Sequence, residues 1–517
     1  MLRKWILVLV IVAMLVSFSF VGCSTTTETT AAETTAAETT AAETTAAETT
    51  AAETTEAKET KLFSLADVPE IENKEPLNLV LETGSLRDAV VTEIEKFSAK
   101  TGIEISVERV STSMVYTKQN LELASGTGTY DMIYTATGWI DDWAPYLLDI
   151  EELANQYDTL EALKEDLANH GGIFVAASHA SDGRLMGIPS MTYHVGMFIR
   201  QDVFDNATEQ ANFKAKYSYD LKPATSFKEL YDQAEFFTRK KGDLLKDKPL
   251  DHDLYGVALQ AGAYQNNDEL ATYLWGKGID WVTVVKNDDG TKKEYVITKK
   301  DQQGQIETLK EYISLLQFAS PGCLTANYDF VITEQGEGRA IIQPTMYSNG
   351  FVWTTSLVKD PEAKIGIYPT LGKRPFTGTF AMGVSKDSKN PEAAYWLIRY
   401  LSSFESQKQI MITGGELSTR IDVTSDPVWK TDENIYPFGP LVDYLASSYK
   451  EPGYAEFLSN IFYFNSPAGG KVYDMQINIL SRAISGEVSV EDGLKELWDQ
   501  TVELTQKNDK IPIRIEE

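Results

Sequence analysis

The stretch LNLVLETGSLRDAVVTEIEKFSAKTGIEISVE, residues 77–108, decides the fold class. Apolar residues at every second position from Leu77 to Leu81 predict a β-strand. Apolar side chains at helical spacing then run to a stop at Gly102, and residues 103–108 alternate again with a period of two. Because a strand, a helix and a strand in this order form a right-handed parallel unit, the stretch predicts an α/β fold.

The pattern continues downstream. Residues 114–124 predict a second helix and residues 130–135 a further short strand, which together indicate a doubly wound sheet. In such sheets ligands lie beyond the carboxyl ends of the strands, where loops lead into helices. Residues 83–85 and 135–142 are therefore predicted to be ligand loops on geometry alone.

The N-terminus has the features of an export signal. Arg3 and Lys4 precede sixteen uncharged, mostly apolar residues, 5–20, and small Gly22 stands just before Cys23. A positively charged start, a short apolar core and a small residue before the cut site predict a secretory signal peptide over residues 1–22. The apolar run is shorter than the ~20 residues that a spanning helix needs.

The segment FVGC, residues 20–23, resembles the bacterial lipobox, in which the cysteine becomes the lipidated N-terminus after cleavage. Phe20 stands where leucine is usual. We expect Cys23 to carry a lipid anchor. The alternative is a plain signal, or an uncleaved anchor, that ends near a cysteine.

Residues 23–61 are rich in threonine, alanine and glutamate, and the unit AAETT recurs from Ala31. The repeat contains no large aliphatic or aromatic residue, so it cannot bury a core. We expect a disordered tether with a root-mean-square reach of about 35 Å. Such a length would hold the following domain clear of a membrane surface.

Composition excludes several classes of partner. The net charge of −29 argues against nucleic acid and against electrostatic binding to anionic lipid. Once Cys23 is assigned to lipid, only Cys323 remains, so no internal disulfide is expected. We interpret Cys323 as a packing thiol, because no motif supplies it with a base.

No catalytic motif is recognisable. The four histidines show no metal-ligand spacing, and the chain contains no zinc-protease helix motif, phosphate loop or Gly-x-Ser-x-Gly elbow. We therefore predict no metal, no cofactor and no enzymatic activity. One alternative stays open: isolated carboxylates such as Glu82 and Glu416 could form a glycosidase pair, whose separation a sequence does not give.

A series of short motifs runs through the chain in a fixed order. Each is weak alone, but together they span residues 77–504 and resemble the extracellular solute-binding proteins of ABC importers, in the maltose-binding-protein-like branch. Where the family usually has Tyr-Asn-Lys, this chain has Phe198-Ile199-Arg200. The motifs are GTGTYDMI (126–133), WIDDWAP (139–145), LLDI (147–150), DGRLMGIP (182–189), MFIRQDVF (197–204), PATSFKEL (223–230), GEGRA (336–340), GTFAMGV (378–384), NPEAAY (390–395) and GGELSTR (414–420).

This resemblance implies the two-lobed periplasmic-binding-protein fold, in which each lobe is a doubly wound sheet with flanking helices and is discontinuous in sequence. Lobe one would comprise residues 76–190 and 368–415, and lobe two residues 191–367 and 416–510. A cleft lies where the chain crosses between the lobes. Periplasmic binding proteins close such a cleft around the ligand by hinge motion, and binding shifts the open and closed populations.

The aromatic loops favour a carbohydrate ligand, since sugars stack their C–H faces on rings and pair their hydroxyls with polar side chains. Trp139 and Asp141 are the strongest candidates, with packing between helix and sheet as the alternative for Trp139. We expect Trp139 and Tyr347 to face each other across the cleft as stacking platforms. The other candidates, which lie in the loops and at the crossings, are Glu82, Thr83, Ser85, Tyr193, His194, Asn349, Trp353, Gly378, Thr379 and Arg420, the last of which could instead pair with a carboxylate.

The combined prediction is a lipid-anchored extracytoplasmic receptor that captures a carbohydrate, most simply an oligosaccharide, and delivers it to the permease subunits of an ABC importer. We expect a monomer on the cell envelope, attached through Cys23 to the cell membrane, or to the outer membrane in a diderm cell. The alternatives are a receptor of the same fold for a polyamine, a glycerol phosphodiester or a peptide, and a surface adhesin that tethers glycans.

Overall fold

The computed structural model describes residues 62–517 except 84, 181, 264, 433–434 and 436–437. The predicted signal peptide, the lipidation site Cys23 and the predicted tether lie outside the described residues. All elements below belong to the part of the chain that follows the tether.

The strands form four sheets, the largest of which has six strands in the order β3-β12-β4-β10-β7, with β11 also pairing β4. The strands are β1 (Leu77–Glu82), β2 (Ile105–Val110), β3 (Met132–Ala136), β4 (Ile188–Arg200), β5 (Leu244–Leu245), β6 (Lys248–Pro249), β7 (Tyr255–Val257), β8 (Thr283–Lys286), β9 (Lys292–Ile297), β10 (Ala340–Tyr347), β11 (Ile365–Tyr368), β12 (Thr377–Val384) and β13 (Ile513–Ile515).

Helices cover both lobes and are more abundant than strands. They are α1 (Ser85–Thr101), α2 (Thr112–Ser125), α3 (Ile140–Trp143), α4 (Ile150–Tyr157), α5 (Leu160–Leu167), α6 (Gly172–Ala176), α7 (Gln201–Phe204), α8 (Ala207–Tyr217), α9 (Phe227–Phe237), α10 (Asn266–Gly276), α11 (Lys299–Leu315), α12 (Tyr328–Gly336), α13 (Gly350–Leu357), α14 (Pro391–Leu401), α15 (Phe404–Gly414), α16 (Ile421–Thr424), α17 (Val428–Thr431), α18 (Phe438–Tyr449), α19 (Tyr454–Leu458), α20 (Phe462–Asn465), α21 (Gly469–Ile484) and α22 (Val490–Asn508). None of these described helices is long and apolar enough to cross a membrane.

Lobe one is built on the strand-helix-strand unit that the sequence predicts. β1 and β2 are parallel, with Leu77 opposite Ile105. β2 begins two residues later than predicted, because Ile103 lies in the preceding turn, where it is fully buried without joining the ladder. α2 ends at Ser125, and the positive φ of 65° at the following Gly126 supplies the left-handed helix cap.

The C-terminal half of the chain returns to lobe one. Asn390 caps α14 by accepting a hydrogen bond from the backbone N–H of Ala393, and Pro391 fills the first helical position. α14 and α15 both pack against α1, about 300 residues earlier in sequence. The lobe is therefore discontinuous in sequence, as the resemblance implies.

Lobe two contains β7, β10, β11 and the separate sheet β8-β9-β13. Residues 287–291 form the exposed tip of the β8–β9 hairpin. Cys323 is buried in the core of this lobe, and burial raises the pKa of its thiol to about 11. A protonated, buried thiol fits the interpretation as a packing residue.

The 13-residue strand β4 crosses between the lobes. Its first half, residues 188–194, pairs with β12, while its second half pairs with β10 and β11. β12 is antiparallel to both of its neighbours, so the sheet is mixed rather than purely parallel. The reason is that β12 enters lobe one from lobe two, in the direction opposite to β4. The lobe boundaries given above stay a prediction.

Candidate functional site

A cavity of about 200 Å³ lies between the two lobes. Its wall contains ten aromatic side chains and has contributions from both lobes and from the crossing strands. Seven of the sequence-predicted residues line it: Glu82, Thr83, Trp139, Tyr193, Tyr347, Asn349 and Trp353. The aromatic side chains are Trp139, Tyr193, Tyr328, Tyr347, Trp353, Phe376, Phe380, Tyr463, Phe464 and Tyr473.

Trp139 forms part of the lobe-one wall. It lies just beyond the carboxyl end of β3, at the position where the fold places ligand loops. The ring also packs on its neighbours, with centroid distances of 5.0 Å to Tyr116, 5.2 Å to Trp143 and 6.1 Å to Phe380. Trp139 therefore combines the two roles that the sequence left open, since one part of the ring packs in lobe one and another part borders the cavity.

Arg87 lies in the same wall and was not predicted. Its Nε donates to Glu82 Oε2 at 2.6 Å and its Nη1 donates to Glu416 Oε2 at 2.6 Å. The guanidinium carbon lies 4.2 Å from the centroid of the Tyr134 ring, and Arg87 is only 4% exposed. Burial raises the pKa of Glu416, and Arg87 partly offsets this effect. The two carboxylates considered as a glycosidase pair thus share one buried arginine.

Two carboxylates around one guanidinium leave this cluster with a net negative charge when both acids are ionised. The position of Arg87 is set by the helix that follows the predicted ligand loop, since it is the third residue of α1. A charged residue in the first turn of a helix behind a ligand loop is the only signal that sequence reasoning could have used.

Asp268 is the central polar group of the lobe-two wall. Tyr473 donates its hydroxyl to Oδ1 at 2.5 Å, and Tyr347 donates to Oδ2. Among the described residues, no lysine, arginine or histidine forms an ion pair with Asp268, and burial raises the pKa of this carboxyl to about 7. Its place in the first turn of α10 gives the ionised form some support from the helix dipole. Sequence reasoning missed Asp268.

Two amide oxygens in the lining of the same cavity have no hydrogen-bond partner among the described residues. Gln265 and Asn349 both line the cavity and are 5% and 8% exposed. Neither amide oxygen has a hydrogen-bond partner within the described part of the chain. Because a buried polar group without a partner costs roughly 1–3 kcal/mol, a ligand that hydrogen-bonds to these amides would recover that energy.

The lobes touch at one rim of the cavity. Gly470 in α21 lies against Gly138, and Lys471 forms an ion pair with Asp142 of α3. Burial and the nearby charge of Asp142 raise the pKa of Asp474 to about 6. This side of the cleft is closed in the structure.

A second cavity, of about 300 Å³, contains the predicted residues Asp141, Gly378 and Thr379. None of these three lines the first cavity, but Phe464 lines both. Gly378 has no room for a side chain, because the ring of Tyr193 lies directly over its Cα.

The remaining predicted residues line neither cavity. His194 is fully buried on the opposite face of β4 from Tyr193, and burial lowers the pKa of its ring to about 3. Arg420 is also fully buried and pairs with Asp166 at 2.6 Å and Asp422 at 2.8 Å, which corresponds to the alternative of a carboxylate pair. The side chain of Ser85 lies outside what the structure describes.

Comparisons with known proteins agree with this architecture. A probable amino-acid ABC transporter periplasmic-binding protein of Sinorhizobium fredii is 23% identical over 375 residues, which cover 70% of this chain and 76% of the relative. Among solved structures, maltose-bound T. maritima MalE3 is similar with a TM-score of 0.60 and 19% identity, over 82% of this chain and 98% of the other.

A ribitol complex of an ABC transporter solute-binding protein from Agrobacterium radiobacter K84 is similar with a TM-score of 0.63 and 18% identity. The alignment covers 84% of this chain and 98% of that chain. At these identities the similarity shows the fold. The family model for bacterial extracellular solute-binding proteins matches residues 83–408, more than half of the chain. The chain therefore belongs to the bacterial extracellular solute-binding protein family.

Proposed function

We propose that this protein is the carbohydrate receptor of an ABC importer and that the cavity between its lobes holds the sugar. The observation that carries the proposal is the combination, in the lining of one cavity, of ten aromatic rings with two buried amide oxygens that have no partner among the described residues. Rings stack on the C–H faces of a sugar, and its hydroxyls both donate and accept hydrogen bonds. We expect Gln265, Asn349 and Asp268, which line the cavity, to pair with these hydroxyls.

The family consists of extracytoplasmic binding proteins that serve ABC transporters. Similar structures hold maltose, ribitol, D-mannitol and alpha-D-tagatose, which are all neutral and hydroxylated. These ligands support a neutral sugar or polyol as the ligand class here. We infer that the ligand is released unchanged, because the family is made of binding proteins and the carboxylates Glu82 and Glu416 are engaged with Arg87.

The proposal is tested by calorimetry, in which residues 62–517 are titrated with mono- and oligosaccharides. We expect saturable binding of at least one sugar with no turnover of that sugar. A panel in which nothing binds would overturn the carbohydrate assignment, and slow hydrolysis of a panel sugar would support the glycosidase instead.

We further propose that the protein is a monomer and that Cys23 carries a lipid anchor. The bound ligand would be delivered to the permease subunits of the importer. The anchor is tested by growing cells with labelled palmitate, since Cys23→Ala should abolish incorporation into the protein. Label that persists in this variant would overturn the lipobox interpretation.

One observation favours a second candidate, a cationic solute such as a polyamine. Asp268 is a buried carboxylate without a cation among the described residues, and aromatic rings that surround a carboxylate suit an ammonium group. Spermidine and putrescine belong in the same titration panel. An anion such as a glycerol phosphodiester is a poorer fit, since Arg87 is already paired with two carboxylates.

A further inference from the structure

The second cavity lies at an open edge of the crossing strand β12. Residues 377–379 pair with β4 on one side, whereas β3 pairs with β12 only from Phe380 onward. The gap beside residues 377–379 is therefore not filled by a strand among the described residues. The second cavity occupies this gap, and Phe464 forms a wall of both cavities.

The first cavity alone is small for an oligosaccharide. Its volume of about 200 Å³ lies below the roughly 300–1,000 Å³ of pockets that hold drug-sized ligands. A ligand of several sugar units therefore needs further room. The second cavity, of about 300 Å³, supplies it next to Phe464.

The lining of the second cavity combines apolar residues with a few polar side chains from both lobes. Asp141 and His179 belong to lobe one, and Ser459 and Asn465 belong to lobe two. His179 Nδ1 lies 2.8 Å from the carbonyl oxygen of Val175. Since a carbonyl only accepts, Nδ1 donates, and Nε2 of the neutral ring is left as an acceptor.

The same wall carries the apolar rings of Phe174 and Phe464, and no lysine or arginine is among its lining residues. An acceptor nitrogen, a carboxylate, hydroxyls and two rings suit a neutral hydroxylated ring. Among the described residues, no cationic side chain lines the cavity itself, and the nearby Lys286 and Lys292 donate to the backbone carbonyl oxygens of Ser459 and Asn465.

We propose that the second cavity is a subsite for an additional sugar unit, so that the ligand is an elongated oligosaccharide that passes Phe464. This inference rests on the proposed carbohydrate function. Because both lobes contribute to the second cavity, each added unit there would make contacts that exist only in the closed state. Such contacts increase affinity by shifting the population toward closure.

Calorimetry with sugar ladders tests the subsite. The probes are glucose and mannose with their α-1,4, β-1,4 and β-1,3 oligomers of two to four units. We expect the best trisaccharide to bind at least about tenfold more tightly than its monosaccharide. His179→Ala and Asp141→Asn should each remove most of this gain while monosaccharide affinity stays within about twofold of the unmodified protein.

His252→Ala and Asp182→Asn are the matched controls, because both residues are at the surface and line neither of the two cavities. Both controls should keep the full gain. Affinity that does not depend on chain length, or a His179→Ala variant that keeps the gain, would overturn the subsite while leaving the carbohydrate function intact. Failure of every probe to bind would overturn the carbohydrate function and the subsite with it.

Discussion

Gly470 in lobe two lies so close to Gly138 in lobe one that a Cβ atom on Gly470 would overlap the carbonyl oxygen of Gly138. The reverse relationship is relaxed, since a Cβ on Gly138 would lie 3.8 Å from the Cα of Gly470, at ordinary contact distance. Closure of the cleft at this rim therefore requires glycine at position 470 but not at position 138.

Gly470→Ala should hinder closure, whereas Gly138→Ala should be tolerated. With a saturating ligand, the unmodified protein should show a smaller radius of gyration in small-angle scattering, and the Gly470→Ala variant should lose part of that decrease. We expect about tenfold weaker binding for Gly470→Ala, because roughly 1.4 kcal/mol of strain would oppose the closed state. Equal behaviour of the two variants would show that the rim contact does not control closure.

Trp139→Ala should weaken sugar binding by about 30-fold to 1000-fold, since burial and stacking of the rings on the ligand together contribute about 2–4 kcal/mol. Trp139 and Tyr347 belong to opposite lobes and both border the first cavity. Calorimetry measures the loss, and circular dichroism checks that the fold is intact.

Trp498→Ala provides the matched tryptophan control, because Trp498 lies in α22, outside both cavities. It should bind sugar normally. If Trp139→Ala also binds normally, the indole ring serves only to pack against Tyr116 and Trp143.

The sequence was sufficient for features that depend on local patterns. The period-two and helical patterns of residues 77–108 predicted β1, α1 and β2, and the rule that ligands lie beyond strand ends placed Trp139 at the cleft. Arg87 and Asp268 were missed because each is one charged residue in a helical first turn, where exposed charges are common. Only tertiary packing buries them.

Two adjacent residues of the crossing strand β4 show the same limit of what a sequence predicts. Tyr193 and His194 were predicted together, yet only Tyr193 borders the cavity, because successive side chains of a strand point to opposite faces. The sequence located the crossing but not which face of it meets the cleft. Arg420 could not be assigned for a similar reason, since its partner Asp166 is 254 residues away.

Arg87→Met should destabilise the protein by about 3–5 kcal/mol, because it leaves Glu82 and Glu416 buried without their cation. Urea unfolding measures this change. The double variant Arg87→Met, Glu416→Gln should recover part of the loss, since one of the two uncompensated carboxylates is then neutral. A single variant as stable as the unmodified protein would mean that water reaches the two carboxylates.

The buried carboxyl of Asp268 should make the free energy of unfolding depend on pH. Burial raises the pKa of Asp268 to about 7, from a value near ~3.9 in an unfolded chain. Between these two values the folded state binds more protons than the unfolded state, so the free energy of unfolding should fall as the pH rises from about 4 to about 7. The neighbouring Glu269, with a pKa also raised by burial to about 7, should act in the same direction.

Ligand affinity should show the opposite slope, because a hydroxyl donor binds the ionised carboxylate of Asp268 more strongly than the protonated one. We assume that sugar binding lowers the pKa of the Asp268 carboxyl by about one unit. Sugar affinity should then rise by about tenfold from pH 5.5 to pH 8 and level off above about pH 7. Calorimetry across this range measures the effect, and Asp268→Asn should abolish it.

The variant Glu269→Gln separates the effect of pH on unfolding from the effect of pH on sugar affinity. Glu269 accepts hydrogen bonds from Thr345 and Tyr312 and does not line the first cavity. Its substitution should therefore flatten part of the pH dependence of unfolding and leave the pH dependence of sugar affinity unchanged. If Asp268→Asn retains the rise in affinity, the proton that couples to binding belongs to another group in the wall, and Asp474, whose pKa burial raises to about 6, becomes the residue to substitute next.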